Sequence, residues 1–235
     1  NVICKVFIIF FLKKKIREVF GGKIKTLISG GAALSPQIGI FFNLVGLNLL
    51  QGYGQTEASP LISCNTKTLN DPRTVGFPVK NVKVKISEDN EILVKGENVM
   101  NGYWKNKKLT NITIKNNWLH TGDLGYLDKF GRLVINGRKK DLIVTSGGDN
   151  ISVQKIETKL LEQIEINQAV VFGDNKPFLV ALIVVENDND IEKFKKLISK
   201  VNKSLNSIEK IRKFILLNKQ FNYKDGFLTQ THKIK

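Results

Sequence analysis

The chain has 235 residues, 42% of them hydrophobic and 25% charged, so it can bury one large core or two smaller ones and is not a disordered polymer. Its formal net charge is +16, but the lysines are scattered and no basic run is interleaved with aromatics, which argues against a nucleic-acid binder. The two cysteines, Cys4 and Cys64, have no metal-ligand spacing and fit a reducing compartment.

Val2 to Leu12 is apolar apart from Cys4 and Lys5 and runs into Lys13, Lys14 and Lys15. The run is shorter than the about 20 residues needed to cross a bilayer, and it lacks a small-residue cleavage site. Phe7, Phe10, Phe11, Ile16, Val19 and Phe20 are spaced for one face, so residues 2–20 read as a helix that Gly21 and Gly22 end. The first residue is Asn1 and not Met, which reads as a start inside a longer sequence. Lys25 to Ser29 reads as a short strand entering Gly30, Gly31, Ala32, Ala33 and Leu34, and Ser35 and Pro36 then start a helix as N-cap and first position. A strand, a glycine pair and a helix start suit close backbone approach to a ligand, or simply tight packing.

Leu44 to Leu50 reads as a buried strand delivering the stretch QGYGQTE, Gln51 to Glu57. Gly52 and Gly54 allow close backbone approach, and Tyr53 offers a flat face to a nucleobase. Thr56 can donate to a phosphate oxygen, and Glu57 is a hard oxygen ligand for a magnesium ion that also carries phosphate. Taken alone, the stretch reads equally well as a glycine-rich turn between strands. Residues 61–135 are strand-rich, with a turn at Gly76 to Pro78, an alternating strand at Val82 to Ile86, a second at Glu91 to Gly96, and Asn101 to Trp104 (NGYW) after it. They predict a small antiparallel sheet or distorted barrel with no chemistry of its own.

In the stretch WLHTGD, Thr121 and Gly122 shape a turn that presents Asp123. One carboxylate can accept hydrogen bonds from both hydroxyls of a ribose, or merely cap the turn. His120 has no partner visible in the sequence and reads as structural. Leu133 to Gly137 reads as a strand. The charged tetrad Arg138, Lys139, Lys140 and Asp141 that follows looks like a domain boundary or a solvated hairpin turn. After Ser146, Gly147 and Gly148 come a helix (Val153 to Glu162), strands (Gln168 to Phe172, Phe178 to Val185), an acidic loop (Glu186 to Asp190) and helical segments: a compact α+β unit. A basic tail, GFLTQTHKIK, ends at Lys235.

QGYGQTE resembles the nucleotide-binding motif of the adenylate-forming superfamily, which includes acyl-CoA synthetases, firefly luciferase and peptide-synthetase adenylation domains. SGGAAL, NGYW, WLHTGDLG, GRKKDLIVTSGG and the ending GFLTQTHKIK resemble further motifs of that family, in its order, over nearly the whole chain. The resemblance implies a mixed α/β and α+β fold. Residues 1–139 would be the distal part of a large AMP-binding domain, a sheet with helices plus a small β-barrel-like subdomain. Residues 140–235 would be a small mobile α+β domain hinged at Lys140.

By the same resemblance, Gly30, Gly31 and Ala32 line the acyl pocket and one side of the adenine. Gly52, Tyr53, Gly54, Asp123 and Arg138 hold ATP or AMP, and Thr56 and Glu57 serve the phosphates, with Glu57 carrying Mg2+. Gly147 and Gly148 lie near the CoA arm, and Lys233 is the catalytic lysine. ISGGAAL, VTSGGDNIS and LTQTHKIK look most like bacterial long-chain fatty acyl-CoA synthetases. That implies a fatty acid, ATP and CoA as partners, a cytoplasmic setting, and an open question of peripheral contact with the inner membrane. Four positions depart from the family: Asp149 for a frequent Lys, Val153 and Gln230 for Pro, and His232 for an apolar residue. A ligase for another acid, a carrier-protein loader and a non-catalytic nucleotide-binding remnant are the alternatives. Nothing in residues 1–29 resembles the Ser/Thr/Gly-rich loop by which the family holds the triphosphate, so the chain alone is expected not to activate an acid.

Overall fold

The computed structural model describes residues 2–32, 34–186, 190–222 and 224–226, the side chains of residues 2–10 excepted. The chain divides into two compact units, Asn1–Ile135 and Asn136–Lys235.

In the first unit, α1 (Val2–Val19) stops where the amides of Gly21 and Gly22 turn back to the carbonyls of Glu18 and Arg17, both glycines being at positive φ. Strand β1 (Thr26–Ser29), helix α2 (Pro36–Leu44) and strand β2 (Asn48–Gly54) follow. β1 and β2 pair in parallel, Thr26 opposite Asn48 and Ser29 opposite Gln51, with α2 as the crossover that a parallel pair requires. The strand expected at Leu44 to Leu50 starts later. The apolar run Ile40 to Leu44 stays in α2, and β2 carries QGYG within the sheet rather than after it. β3 (Leu61–Cys64) pairs antiparallel with β2, and β4 (Phe77–Pro78) pairs with β3, so the residues read as a turn form a short ladder.

The second sheet of this unit comprises β5 (Val82–Ile86), β6 (Glu91–Gly96), β7 (Ile114–Lys115), β8 (Trp118–Leu127) and β9 (Leu133–Arg138), with helix α3 (Lys107–Thr113) entering β7. Its order is β5-β6-β8-β7, with β9 also on β8. The sheet is open, which corrects the barrel-like expectation: among the described residues β5 keeps a free edge, and the two-residue β7 is too short to carry the ladder round. β5 alternates as its sequence predicts, whereas the first four residues of β6 are all buried. Tyr53, Ala58, Ile62, Val75, Ile92, Val94, Leu119 and Leu133 form the core, so β2 and the open sheet share one interior.

In the second unit, β10 (Leu142–Val144) and β11 (Asn150–Ser152) form a hairpin that leads into α4 (Val153–Leu161). β12 (Gln168–Phe172) and β13 (Leu179–Val184) are antiparallel, and α5 (Ile191–Asn202) crosses over to β14 (Ile211–Leu217), which is parallel to β13. β14 lies where the sequence reads as helical; β13 offers it a free edge, and tertiary pairing decides. Ile156, Leu160, Leu179, Ile183 and Phe194 are fully buried in a core confined to this unit. Among the described residues no helix is long and apolar enough to cross a membrane.

Candidate functional site

The parallel pair β1 and β2 ends with its two glycine-bearing segments side by side. A Cβ on Gly30 would lie 3.5 Å from the carbonyl oxygen of Gly52, so the SGG and QGYG backbones are neighbours. In open α/β sheets this carboxyl end of parallel strands is where ligands bind. Gly54 is held to glycine by space: a Cβ there would run into the Pro60 carbonyl. Beyond it, Thr56–Ala58 forms a single 3-10 turn that leaves Thr56 exposed and Glu57 half-buried. Gly31 and Ala32 are exposed bend residues after β1.

Two motifs far apart in sequence meet at one hydrogen bond. The Tyr53 hydroxyl donates to Asp123 Oδ2 at 2.6 Å, across 70 positions. Tyr53 is 8% exposed and Asp123 3%. The Tyr53 ring packs in the core of this unit, and its hydroxyl orients Asp123.

Glu57 has a partner the sequence did not disclose. The Tyr103 hydroxyl donates to Glu57 Oε1 at 2.8 Å, and the Met100 amide donates to the Glu57 carbonyl at 2.9 Å. Burial, and then the bond to Glu57, push the Tyr103 hydroxyl pKa up, so it stays a donor. Tyr103 is 46 positions from Glu57, and NGYW carries no local signal for the contact. Among the described residues no three His, Cys, Asp or Glu side chains gather as a metal site. Magnesium needs no such cluster, since it takes one or two carboxylates together with phosphate oxygens and water. A lone carboxylate braced through one oxygen fits that ligand set.

The remaining predicted residues lie in the second unit. Arg138 ends β9 and is exposed, and Lys140 is exposed in the 3-10 turn Lys139–Asp141. Gly147 and Gly148 are exposed in the loop between β10 and β11, with the Gly148 amide bonded to the Thr145 carbonyl. Asp149 is not a loose charge in that loop. Its amide donates to Thr145 Oγ1 at 3.2 Å, and the Thr145 hydroxyl donates to Asp149 Oδ2 at 3.3 Å. His120, read as structural, pairs with the buried Glu91 at 3.0 Å. Ala33, Gln230, His232 and Lys233 lie outside the described residues.

Residues 6–104 match the AMP-binding enzyme family, and residues 140–233 match the AMP-binding enzyme C-terminal domain. The chain is 36% identical over 248 residues to the long-chain-fatty-acid–CoA ligase FadD15 of Mycobacterium bovis, covering 94% of this chain and 41% of that protein. It is 38% identical over 163 residues to a long-chain-fatty-acid–CoA ligase of Bacillus subtilis, covering 64% of this chain and 29% of that one. The o-succinylbenzoate CoA synthetase of Bacillus subtilis, solved with its acyl-adenylate intermediate, superposes with a TM-score of 0.76 at 26% identity, over 90% of this chain and 45% of that chain. The chain thus spans less than half the length of these relatives.

Proposed function

The chain belongs to the family of AMP-binding enzymes, and from that premise we propose that it supplies the ribose- and magnesium-binding part of an ATP-dependent ligase joining a long-chain fatty acid to CoA. The observation that carries the reading is the Tyr53–Asp123 hydrogen bond, which ties the QGYGQTE stretch to the TGD turn. The long-chain fatty acids on which the ligases it resembles act support the fatty acid as substrate.

In this reading the acid's carboxylate oxygen attacks the α-phosphate of ATP and pyrophosphate leaves. The CoA sulfur then attacks the acyl carbonyl and AMP leaves. Asp123, oriented by Tyr53, accepts from the ribose hydroxyls. Thr56 donates to a phosphate oxygen, and Glu57, steadied by Tyr103, is the magnesium ligand. Mg2+ at that carboxylate would offset phosphate charge, which is the dominant need in such transfers. Lys233 brings a compact positive charge to the meeting of carboxylate and phosphate. Gly30, Gly31 and Ala32 border the acyl group and adenine. Arg138 contacts the ribose or phosphate, and Lys140 is the pivot about which the second unit moves between half-reactions, bringing Gly147 and Gly148 to the CoA arm. Long-chain acids partition into bilayers, so a cytoplasmic enzyme that touches the inner membrane peripherally suits this substrate.

The test is acid-dependent pyrophosphate release over a panel of fatty, aryl and short acids, by an enzyme that contains this chain. Release with long-chain acids is expected; release confined to aryl acids would make it a ligase for another acid. The 235-residue chain by itself is expected to bind AMP without ATP–pyrophosphate exchange, because nothing in residues 1–29 resembles the triphosphate loop. Robust exchange would overturn that division of the site.

A further inference from the structure

The turn that presents Asp123 is a bulge, and a buried carboxylate fills it. Leu93 of β6 lies opposite His120 of β8, but Glu91 lies opposite Leu124. Ile92 alone therefore faces Thr121, Gly122 and Asp123, and the ladder is broken there. A bulge strands backbone groups that a regular ladder would pair. Here Glu91 Oε1 accepts from the Gly122 amide at 2.9 Å, and Glu91 Oε2 lies 3.0 Å from His120 Nδ1. The Thr121 hydroxyl donates to the Ile92 carbonyl at 2.7 Å and accepts from the Asp123 amide at 3.1 Å. Gly122 adopts φ +71°, where a side chain would be strained. Glu91 is 5% exposed.

A buried carboxylate is costly to retain unless it is bonded, and packing alone would be served by an apolar residue. What Glu91 adds is a clamp that ties both the residue before the bulge, His120, and the middle of the bulge, Gly122, to β6. The clamp matters because side chains of a strand alternate between faces, so a slip of one residue turns Asp123 to the other side of the sheet and away from Tyr53. We propose that Glu91 is a positioning residue for nucleotide binding: it holds the bulge of β8 in the register that aims Asp123 at the ribose. The inference rests on the reading of Asp123 as the ribose ligand.

The experiment compares AMP with 2′,3′-dideoxy-AMP on the chain as it stands and on Glu91→Gln and Glu91→Ala, alongside hydrogen exchange of the Gly122 amide. The unaltered chain should prefer AMP. Glu91→Gln keeps a carbonyl acceptor for Gly122, so it should retain both amide protection and the preference to within about twofold. Glu91→Ala should lose Gly122 protection and about tenfold of the preference, the scale of one hydrogen bond to a charged group, with dideoxy-AMP affinity unchanged. An intact preference in Glu91→Ala overturns the proposal. So does an equal loss for both nucleotides in either variant, because that is what a purely structural residue would give. If the unaltered chain binds AMP and dideoxy-AMP equally, or binds neither, the ribose reading itself falls, whatever Gly122 does.

Discussion

Replacing Tyr53 by Phe removes one oxygen and leaves the ring in place, so it isolates the bond on which the site depends. Asp123 would stay 3% exposed but lose the Tyr53 hydroxyl on Oδ2. Losing a partner of a buried charged group costs about 1–3 kcal/mol, more than the bond contributes when made. Tyr53→Phe should therefore lower the unfolding free energy by that order and weaken AMP binding; denaturant titration and calorimetry measure both. Retention of both would mean that Asp123 takes its orientation from elsewhere. Glu157, in α4, gives a second prediction at this scale. Burial drives its carboxyl up to about 7 from the ordinary glutamate value near 4.5; the Val171 amide bond opposes the rise and the Asp141 charge adds to it. Its pKa is raised on folding, so the native state binds the extra proton between those two values. Stability is then full below about pH 4.5, falls as pH rises towards 7 and levels above, by up to about 3 kcal/mol. Glu157→Gln should flatten that slope and be the more stable protein at pH 8. Asp71 acts in the opposite sense. Its hydrogen bond from Arg73, with Arg73 and Arg132 charges nearby, holds it down to about 2, so its contribution is present above pH 4 and lost below. Unfolding midpoints from pH 3 to 8 would separate the two, and an unchanged slope in Glu157→Gln would refute the assignment.

The course of β2 depends on having no side chain at Gly54. Gly54→Ala drives a methyl into the Pro60 carbonyl, which is backbone and cannot rotate aside. At Gly52 the nearest atom to an added Cβ is the Leu61 Cδ1 at 3.3 Å, the end of a flexible side chain. Gly54→Ala should thus cost about 1–3 kcal/mol and displace β3, while Gly52→Ala costs clearly less. Thermal melts of the two variants decide it, and equal melting points would show that the segment around Pro60 yields. Elements of this kind mark the limit of what the sequence discloses. β5 and α4 were legible from their two- and 3.6-residue periods, and β12 and β13 from short apolar runs closed by turn residues. The start of β2 was not, because the end of α2 is as apolar as the strand after it. Ile211 to Leu217 falls within the stretch read as helical, and pairing with β13 makes it a strand instead. In the site, QGYGQTE and TGD were legible as motifs. The bonds that give them geometry (Tyr53 to Asp123, Tyr103 to Glu57, Glu91 to Gly122) join residues 31 to 70 positions apart, and no local pattern announces them.

Each unit of the molecule has a core of its own. The interior of the first is drawn from residues between Tyr53 and Leu133, that of the second from residues between Ile143 and Ile211, and they share no member. The chain between them is the end of β9 and the 3-10 turn at Lys139–Asp141, an exposed and charged connection of the kind found at domain boundaries. In the second unit, α4 and α5 pack Ile156, Leu160, Phe194 and Ile198 with Leu179 and Ile183 of β13, in one cluster that needs no residue before Ile143. A polypeptide of residues 136–235 should therefore fold alone. It should give dispersed amide resonances and a single cooperative urea transition, and Phe194→Ala should unfold it by removing about 3–5 kcal/mol of buried side chain. The intact chain should show that transition again, at nearly the same urea concentration, beside a second one from residues 1–135. A collapsed, undispersed spectrum for the isolated piece would mean that its core forms only with the first unit present, and that a hinge at Lys140 could not swing a body that is not independently folded.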